Sequence, residues 1–121
     1  MEQKKGKILL VDDHGDTGKV FQMLLERQGY HVKIAFNVKG AMDAAALDHY
    51  DLLISDIGLP DGTGLDLMRS LREKQDIKGI ALSGFGMDED IEKSHDAGFS
   101  EHLTKPVNFQ KLKAAVEQLL T

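Results

Sequence analysis

Cysteine is absent from the 121-residue chain, which excludes disulfides and thiol chemistry and permits a reducing, intracellular compartment. No apolar run approaches the roughly 20 residues of a membrane span. The run Ile8 to Val11 follows a charged lead but is too short for a signal peptide and ends in Asp12 and Asp13. A soluble, cytoplasmic protein is expected. Positive charge is scarce, 15 Lys and Arg against 20 Asp and Glu, and no basic stripe is interleaved with aromatics. That argues against direct nucleic-acid binding, which relies on clustered cations to displace counterions. Zinc-type His/Cys spacing is missing too: His14, His31, His49, His95 and His102 are scattered, and each is expected not to ligate metal. There are no repeats, linkers or low-complexity tracts. One domain over 1–121 is expected, with 1–6 flexible, since this length can bury a single core without metal or disulfide help.

What the chain does contain is an alternation of short apolar runs with amphipathic segments. Lys7 to Val11 reads as a first strand. The spacing of Val20, Phe21, Leu24 and Leu25 predicts a helix over Asp16 to Gln28, stopped by Gly29. His31 to Phe36 alternates and so reads as a half-exposed outer strand, and Asn37 is a candidate cap for the Ala-rich helix that follows. Leu52 to Ile54 lack alternation, as in a central strand covered on both faces, and the run ends on Asp56. Gly58, Pro60, Gly62 and Gly64 then predict a tight, irregular loop. A helix over Gly64 to Glu73 would turn Leu67, Met68 and Leu71 inward. A fourth strand covers Lys78 to Leu82, a thinly anchored helix Met87 to Ala97, a fifth strand Phe99 to Leu103, and a final helix capped by Asn108 carries Phe109, Leu112, Val116, Leu119 and Leu120. Strands alternating with helices imply right-handed crossovers: a five-stranded parallel sheet with helices on both faces.

In such a sheet the carboxyl ends of all strands line one edge, where open α/β sheets bind ligands. Strand one delivers Asp12 and Asp13, strand three Asp56, strand four Ser83, strand five Lys105. Three converging carboxylates call for a cation, and a hard divalent ion with oxygen ligands describes Mg²⁺. The Ser83 hydroxyl and Lys105 ammonium would serve a phosphoryl group as donor and point charge. A carboxylate nucleophile, a divalent metal and a lysine are the parts of phosphoryl transfer to Asp56. Taken singly, each part is also compatible with a solvated turn, a cap or a loop.

Ile8-Leu9-Leu10-Val11-Asp12-Asp13, the Asp56…Pro60…Gly64 spacing, Leu82-Ser83-Gly84, Ala97-Gly98-Phe99 and Leu103-Thr104-Lys105-Pro106 together resemble the receiver domain of two-component response regulators over essentially the whole chain. The resemblance implies the flavodoxin-like, doubly wound (βα)5 fold. It also implies that Asp56 accepts a phosphoryl group from a phosphohistidine on a histidine kinase or histidine phosphotransfer protein, switching a protein-interaction surface. Asp13, Asp56 and the Gly58 carbonyl would bind Mg²⁺, Asp12 mainly through water, Ser83 and Lys105 would hold phosphoryl oxygens, and Lys105-Pro106 would be cis. The domain would be a signalling element and not an enzyme, with a phosphorylation-dependent dimer among its assemblies. Ser55 to Leu65 and Ala97 to Val107 look most like receivers of hybrid histidine kinases. With no output domain before Thr121, output through a protein–protein face, or excision from a longer polypeptide, is expected. Where relatives carry Phe or Tyr as a rotameric switch, three residues before the lysine, this chain has His102. Gly58 and Phe85 cannot orient a water through polar side chains, so slow autodephosphorylation is expected.

Two alternatives belong to other classes. An aspartyl-nucleophile phosphatase shares the Asp and Mg²⁺ chemistry, but the haloacid-dehalogenase type places a second Asp where Gly58 stands. A nucleotide- or flavin-binding module would need a dinucleotide fingerprint or P-loop, and neither glycine cluster has that spacing.

Overall fold

The computed structural model describes residues 5–84 and 88–120, positions 88 and 89 by backbone alone. Residues 1–4 of the expected flexible lead, Phe85 and the expected helix start at Met87 lie outside them. The elements run β1 (Lys7–Val11), α1 (Gly15–Arg27), β2 (His31–Ala35), α2 (Val38–Leu47), β3 (Leu52–Asp56), β4 (Gly58–Leu59), β5 (Gly62–Thr63), α3 (Gly64–Lys74), β6 (Lys78–Ser83), α4 (Asp88–Ala97), β7 (Glu101–Thr104) and α5 (Phe109–Leu120). Five strands form a parallel sheet in the order β2-β1-β3-β6-β7, and β4 and β5 form a separate antiparallel pair.

Side-chain alternation along buried strands builds two cores. Ile8 and Leu10 of β1 and Leu52 and Ile54 of β3 pack with Phe21, Leu25, Leu112 and Val116 of α1 and α5. Leu9, Val11 and Leu53 point the other way, into Ala41, Leu67, Met68 and Leu71 of α2 and α3. Each fully buried Leu or Ile contributes about 1.5–3 kcal/mol, which is why the central strands can be apolar on both faces. β2 is the sheet edge, with His31 and Lys33 exposed and Val32 buried, as its alternating sequence requires. Asn37 Oδ1 accepts the Gly40 N–H at 2.7 Å and Asn108 Oδ1 that of Gln110 at 2.7 Å, so both expected caps form.

Four details differ from the sequence expectation. Val20 is 47 % exposed; it stands one residue, about 100° of helix, from Phe21, and the buried stripe is Gly18, Phe21 and Leu25. The last strand begins at Glu101, because Gly98, at φ +114°, ends α4 and turns Phe99 into the core. A side chain at Gly98 would be strained at that φ and would meet Arg72 Cδ at 2.5 Å. The buried side chains of α4 include Ser94, which the apolar pattern did not single out. The segment after Asp56 is an ordered hairpin and not an irregular loop, Gly58 pairing with Thr63 and Leu59 with Gly62.

Candidate functional site

Strand register assembles the site. Val11 lies opposite Ser55, Asp56 opposite Leu82, and Ser83 opposite Thr104, so the residues that close or follow four adjacent strands meet at one edge. The β2-β1-β3-β6-β7 winding reverses between β1 and β3, and at that reversal open α/β sheets leave their crevice. Asp12, Asp13 and Asp56 flank it. The strand termini are pinned across the sheet: Asp12 N–H donates to Ala35 O, Ile57 N–H to Leu82 O and Lys105 N–H to Ser83 O.

Asp12 and Asp56 are 1 % and 2 % exposed, whereas Asp13 opens to solvent. The Lys105 ammonium lies 2.7 Å from Asp56 Oδ1, an ion pair lacking hydrogen-bond alignment, and Asp56 Oδ2 is buried with no hydrogen-bond partner among the described residues. Asp12 Oδ1 by contrast accepts the His14 N–H at 2.8 Å. Burial pushes the Asp56 carboxyl up to about 7; Lys105 opposes that shift, and the neighbouring Asp12 adds to it. The Lys105-Pro106 bond is cis.

A cavity of about 440 Å³ opens at these groups, and Asp13, Asp56, Gly58, Ser83, Lys105, Leu65, Asp90 and Ser94 are among the residues that line it. The structure thus gathers Asp12, Asp13, Asp56, Gly58, Ser83 and Lys105 at one edge. His102 stands apart from this group, on β7 beside Ala81; its Nδ1 is 3.2 Å from Ser94 Oγ, and its Nε2 is buried without a partner among the described residues. Two residues were not anticipated. Ser94 both lines the cavity and meets His102. His14, set aside as one scattered histidine, places Nδ1 at 3.1 Å from Asp13 Oδ1 and 3.4 Å from Asp12 Oδ1; its adjacency to the Asp pair was the available signal.

Ligand atoms of Asp12, Asp13, His14 and Asp56 lie within 4.8 Å of one another. Carboxylates crowded this closely, one with an oxygen that accepts no hydrogen bond from the described residues, fit a hard divalent cation of the Mg²⁺ type.

A doubly wound parallel sheet with a buried Asp paired to a partly exposed Lys and an acidic cluster at its switch point defines a class: an α/β protein equipped to handle a cation and a phosphoryl group. Within that class the chain belongs to the response regulator receiver domain family, whose model matches residues 8–117. It is 34 % identical to an uncharacterized 14.6 kDa protein of Leptolyngbya boryana, over 92 % of this chain and 87 % of that one. It is 32 % identical to the transcriptional regulatory protein CpxR of Escherichia coli strain K12, over 94 % of this chain and 49 % of that protein. The chain therefore spans about half the length of that regulator. A two-component response regulator from Clostridium difficile superposes with a TM-score of 0.91 at 28 % identity, covering 98 % of this chain and 96 % of that one. The protein is a receiver domain of the two-component type, and an acidic pocket of the kind such domains use for Mg²⁺ is present. No described helix is long and apolar enough to cross a membrane.

Proposed function

We propose that Asp56 is the phosphoacceptor, receiving its phosphoryl group from a phosphohistidine on a histidine kinase or histidine phosphotransfer protein. The observation that carries this reading is the buried Asp56 carboxylate, with Lys105 at 2.7 Å from one oxygen and, among the described residues, no donor on the other, facing an open cavity. An Asp56 oxygen forms the new bond to phosphorus as the N–P bond breaks, and the departing imidazole keeps that electron pair. Lys105 and Ser83, closing adjacent strands, would hold the transferred oxygens. Asp13, Asp56 and the Gly58 carbonyl would hold Mg²⁺, with Asp12 acting through water; when bound, the ion neutralises charge that builds on the phosphoryl oxygens.

The output is a shift in population at the surface of α4 and β7. Ser94 lines the phosphoacceptor cavity and contacts His102, so occupation of the cavity bears on the contact that joins these two elements, with His102 as the switch residue. A dimer that forms on phosphorylation, and the absence of direct nucleic-acid contact, belong to the same reading, as does the view that the domain assists only its own phosphorylation and dephosphorylation. A phosphatase of the aspartyl-nucleophile type would need an acid two residues after Asp56, and that position is Gly58.

Intact-mass analysis after incubation with acetyl phosphate and Mg²⁺ tests the proposal. One phosphoryl adduct is expected, absent in Asp56→Asn and absent when the metal is chelated. An adduct that persists in Asp56→Asn would place the acceptor elsewhere.

A further inference from the structure

The hairpin after Asp56 is held in an unusual way. It carries Gly58, and burial holds only part of it: Leu59 packs against the core, whereas Gly58 and Asp61 are exposed, and a Cβ at Gly58 would meet nothing within 4 Å. Its ladder has only two residue pairs, Gly58 with Thr63 and Leu59 with Gly62, and so short a hairpin is marginal unaided. At its base, Ile57 N–H donates to Leu82 O at 3.0 Å and Gly64 N–H to Ile57 O at 2.7 Å. At its tip, Asp61 reaches across to α2, where its two carboxylate oxygens accept the N–H groups of Val38 at 2.7 Å and Lys39 at 3.0 Å.

The four leading N–H groups of α2 are thereby shared between two residues. Asp61 takes Val38 and Lys39 from outside the helix, while Asn37 takes Gly40 through its side chain and Ala41 through its carbonyl. Asn37 alone would serve as an ordinary N-cap. The Asp61 bonds add something a cap within the helix cannot, a fixed distance between α2 and the hairpin tip. The backbone bonds from Lys39 and Val38 hold the Asp61 carboxyl below the usual range, so it stays ionised and clamped at neutral pH.

We infer that Asp61 is a positioning residue for the metal site: by clamping the hairpin tip to the N-terminus of α2 it fixes the backbone of Gly58 beside Asp56. This rests on the proposed Mg²⁺ site and extends it to a residue that touches neither cation nor phosphoryl group. Outer partners that orient metal ligands matter to affinity nearly as much as the ligands do, and here the oriented ligand is a main-chain carbonyl on an exposed hairpin.

The test compares two losses at the same helix end. Mg²⁺ alone is titrated by calorimetry into the unsubstituted protein, Asp61→Ala, Asp61→Asn and Asn37→Ala, with urea midpoints of the metal-free forms and amide exchange over residues 57–64 measured in parallel. Asp61→Ala is expected to weaken Mg²⁺ binding about tenfold, the low end for lost outer partners of a metal ligand. It should also speed exchange in the hairpin. Asp61→Asn, which keeps one acceptor oxygen, should lose less. Asn37→Ala should lower the urea midpoint while leaving Mg²⁺ affinity within twofold. Equal loss of affinity in Asn37→Ala and Asp61→Ala would reduce Asp61 to a helix cap and overturn the inference, as would unchanged affinity in Asp61→Ala. No Mg²⁺ response in the unsubstituted protein would overturn the metal-site reading itself, and the positioning role with it.

Discussion

Replacing Asp56 by Asn should make the metal-free protein more stable at neutral pH, although it removes the partner of Lys105. An unfolded Asp loses its proton near the ordinary 3.8, whereas in the folded protein burial, only partly offset by Lys105, holds the proton to about 7. Between those values the native state binds the proton that the unfolded chain has released, so stability falls as pH rises, by 1.36 kcal/mol per unit. Over the whole window the loss is on the order of 4 kcal/mol, with the attraction of Lys105 already included, since it acts on the same pKa. Asn never ionises and escapes this loss. The two proteins should be nearly alike at pH 4 and diverge until about pH 7.5, beyond which the gap stays constant. With a urea slope of about 2 kcal/mol/M, the variant's midpoint at pH 8 should lie about 2 M above that of the unsubstituted protein, both in chelator. Mg²⁺ should recover part of the gap in the unsubstituted protein, about 2.7 kcal/mol at a hundredfold excess over Kd, and none in Asp56→Asn. Equal midpoints at pH 8, or a gap that narrows as pH rises, would refute the reasoning.

Gly64→Ala tests the close approach behind the acceptor. Ala normally improves a helix over Gly by up to about 1 kcal/mol, but a Cβ here would collide with the backbone oxygen of Asp56 and sit 3.0 Å from Ser55 Oγ. The substitution should instead destabilise by about 3 kcal/mol, the upper range for overpacking, and an unchanged urea midpoint would show that the backbone yields freely. Gly58→Asn tests the lifetime of the phosphoryl group. The position has open space and φ outside the left-handed region, so the fold should be unaffected, while a polar side chain able to orient water should speed dephosphorylation about tenfold or more. Intact-mass decay curves measure it, and equal lifetimes would locate the slow step elsewhere.

The ends of the central strands were legible because a buried parallel strand needs an apolar run, and the runs of β1, β3 and β6 stop at Asp12-Asp13, Asp56 and Ser83-Gly84. Once the strands are parallel, register does the rest: Val11 opposite Ser55 sets Asp12 beside Asp56, and Ser83 opposite Thr104 sets Lys105 within reach. Illegible features share a different origin, in contacts between residues far apart in the chain. Gly58, Pro60 and Gly62 argue locally against strand, yet two pairs form where Asp61 meets α2 and Leu59 packs on the core. Val20 satisfied a helical spacing count but lay just beside the buried stripe. Ser94 is polar in a helix short of apolar anchors; its hydroxyl donates to Asp90 O one turn back and also meets His102, eight residues on and on another element, and only the first contact is local.

On the proposed reading, the contrast between the two buried carboxylates is what best separates their roles. Asp12 and Asp56 are equally removed from solvent, but Asp12 already has a backbone donor from His14, and an occupied lone pair is a poorer nucleophile. Asp56 has a cation to one side and an oxygen that meets no donor among the described residues. Leaving that oxygen bare costs stability, and a fold selected only for stability would supply a hydrogen bond there. An arriving phosphoryl group or cation removes the deficiency, so the unsatisfied acceptor raises the free energy of the empty state relative to the occupied one. The two core layers, apolar on both faces of β1 and β3, provide the stability against which such a strained charge can be kept. Environment rather than residue type divides the labour between the two acids.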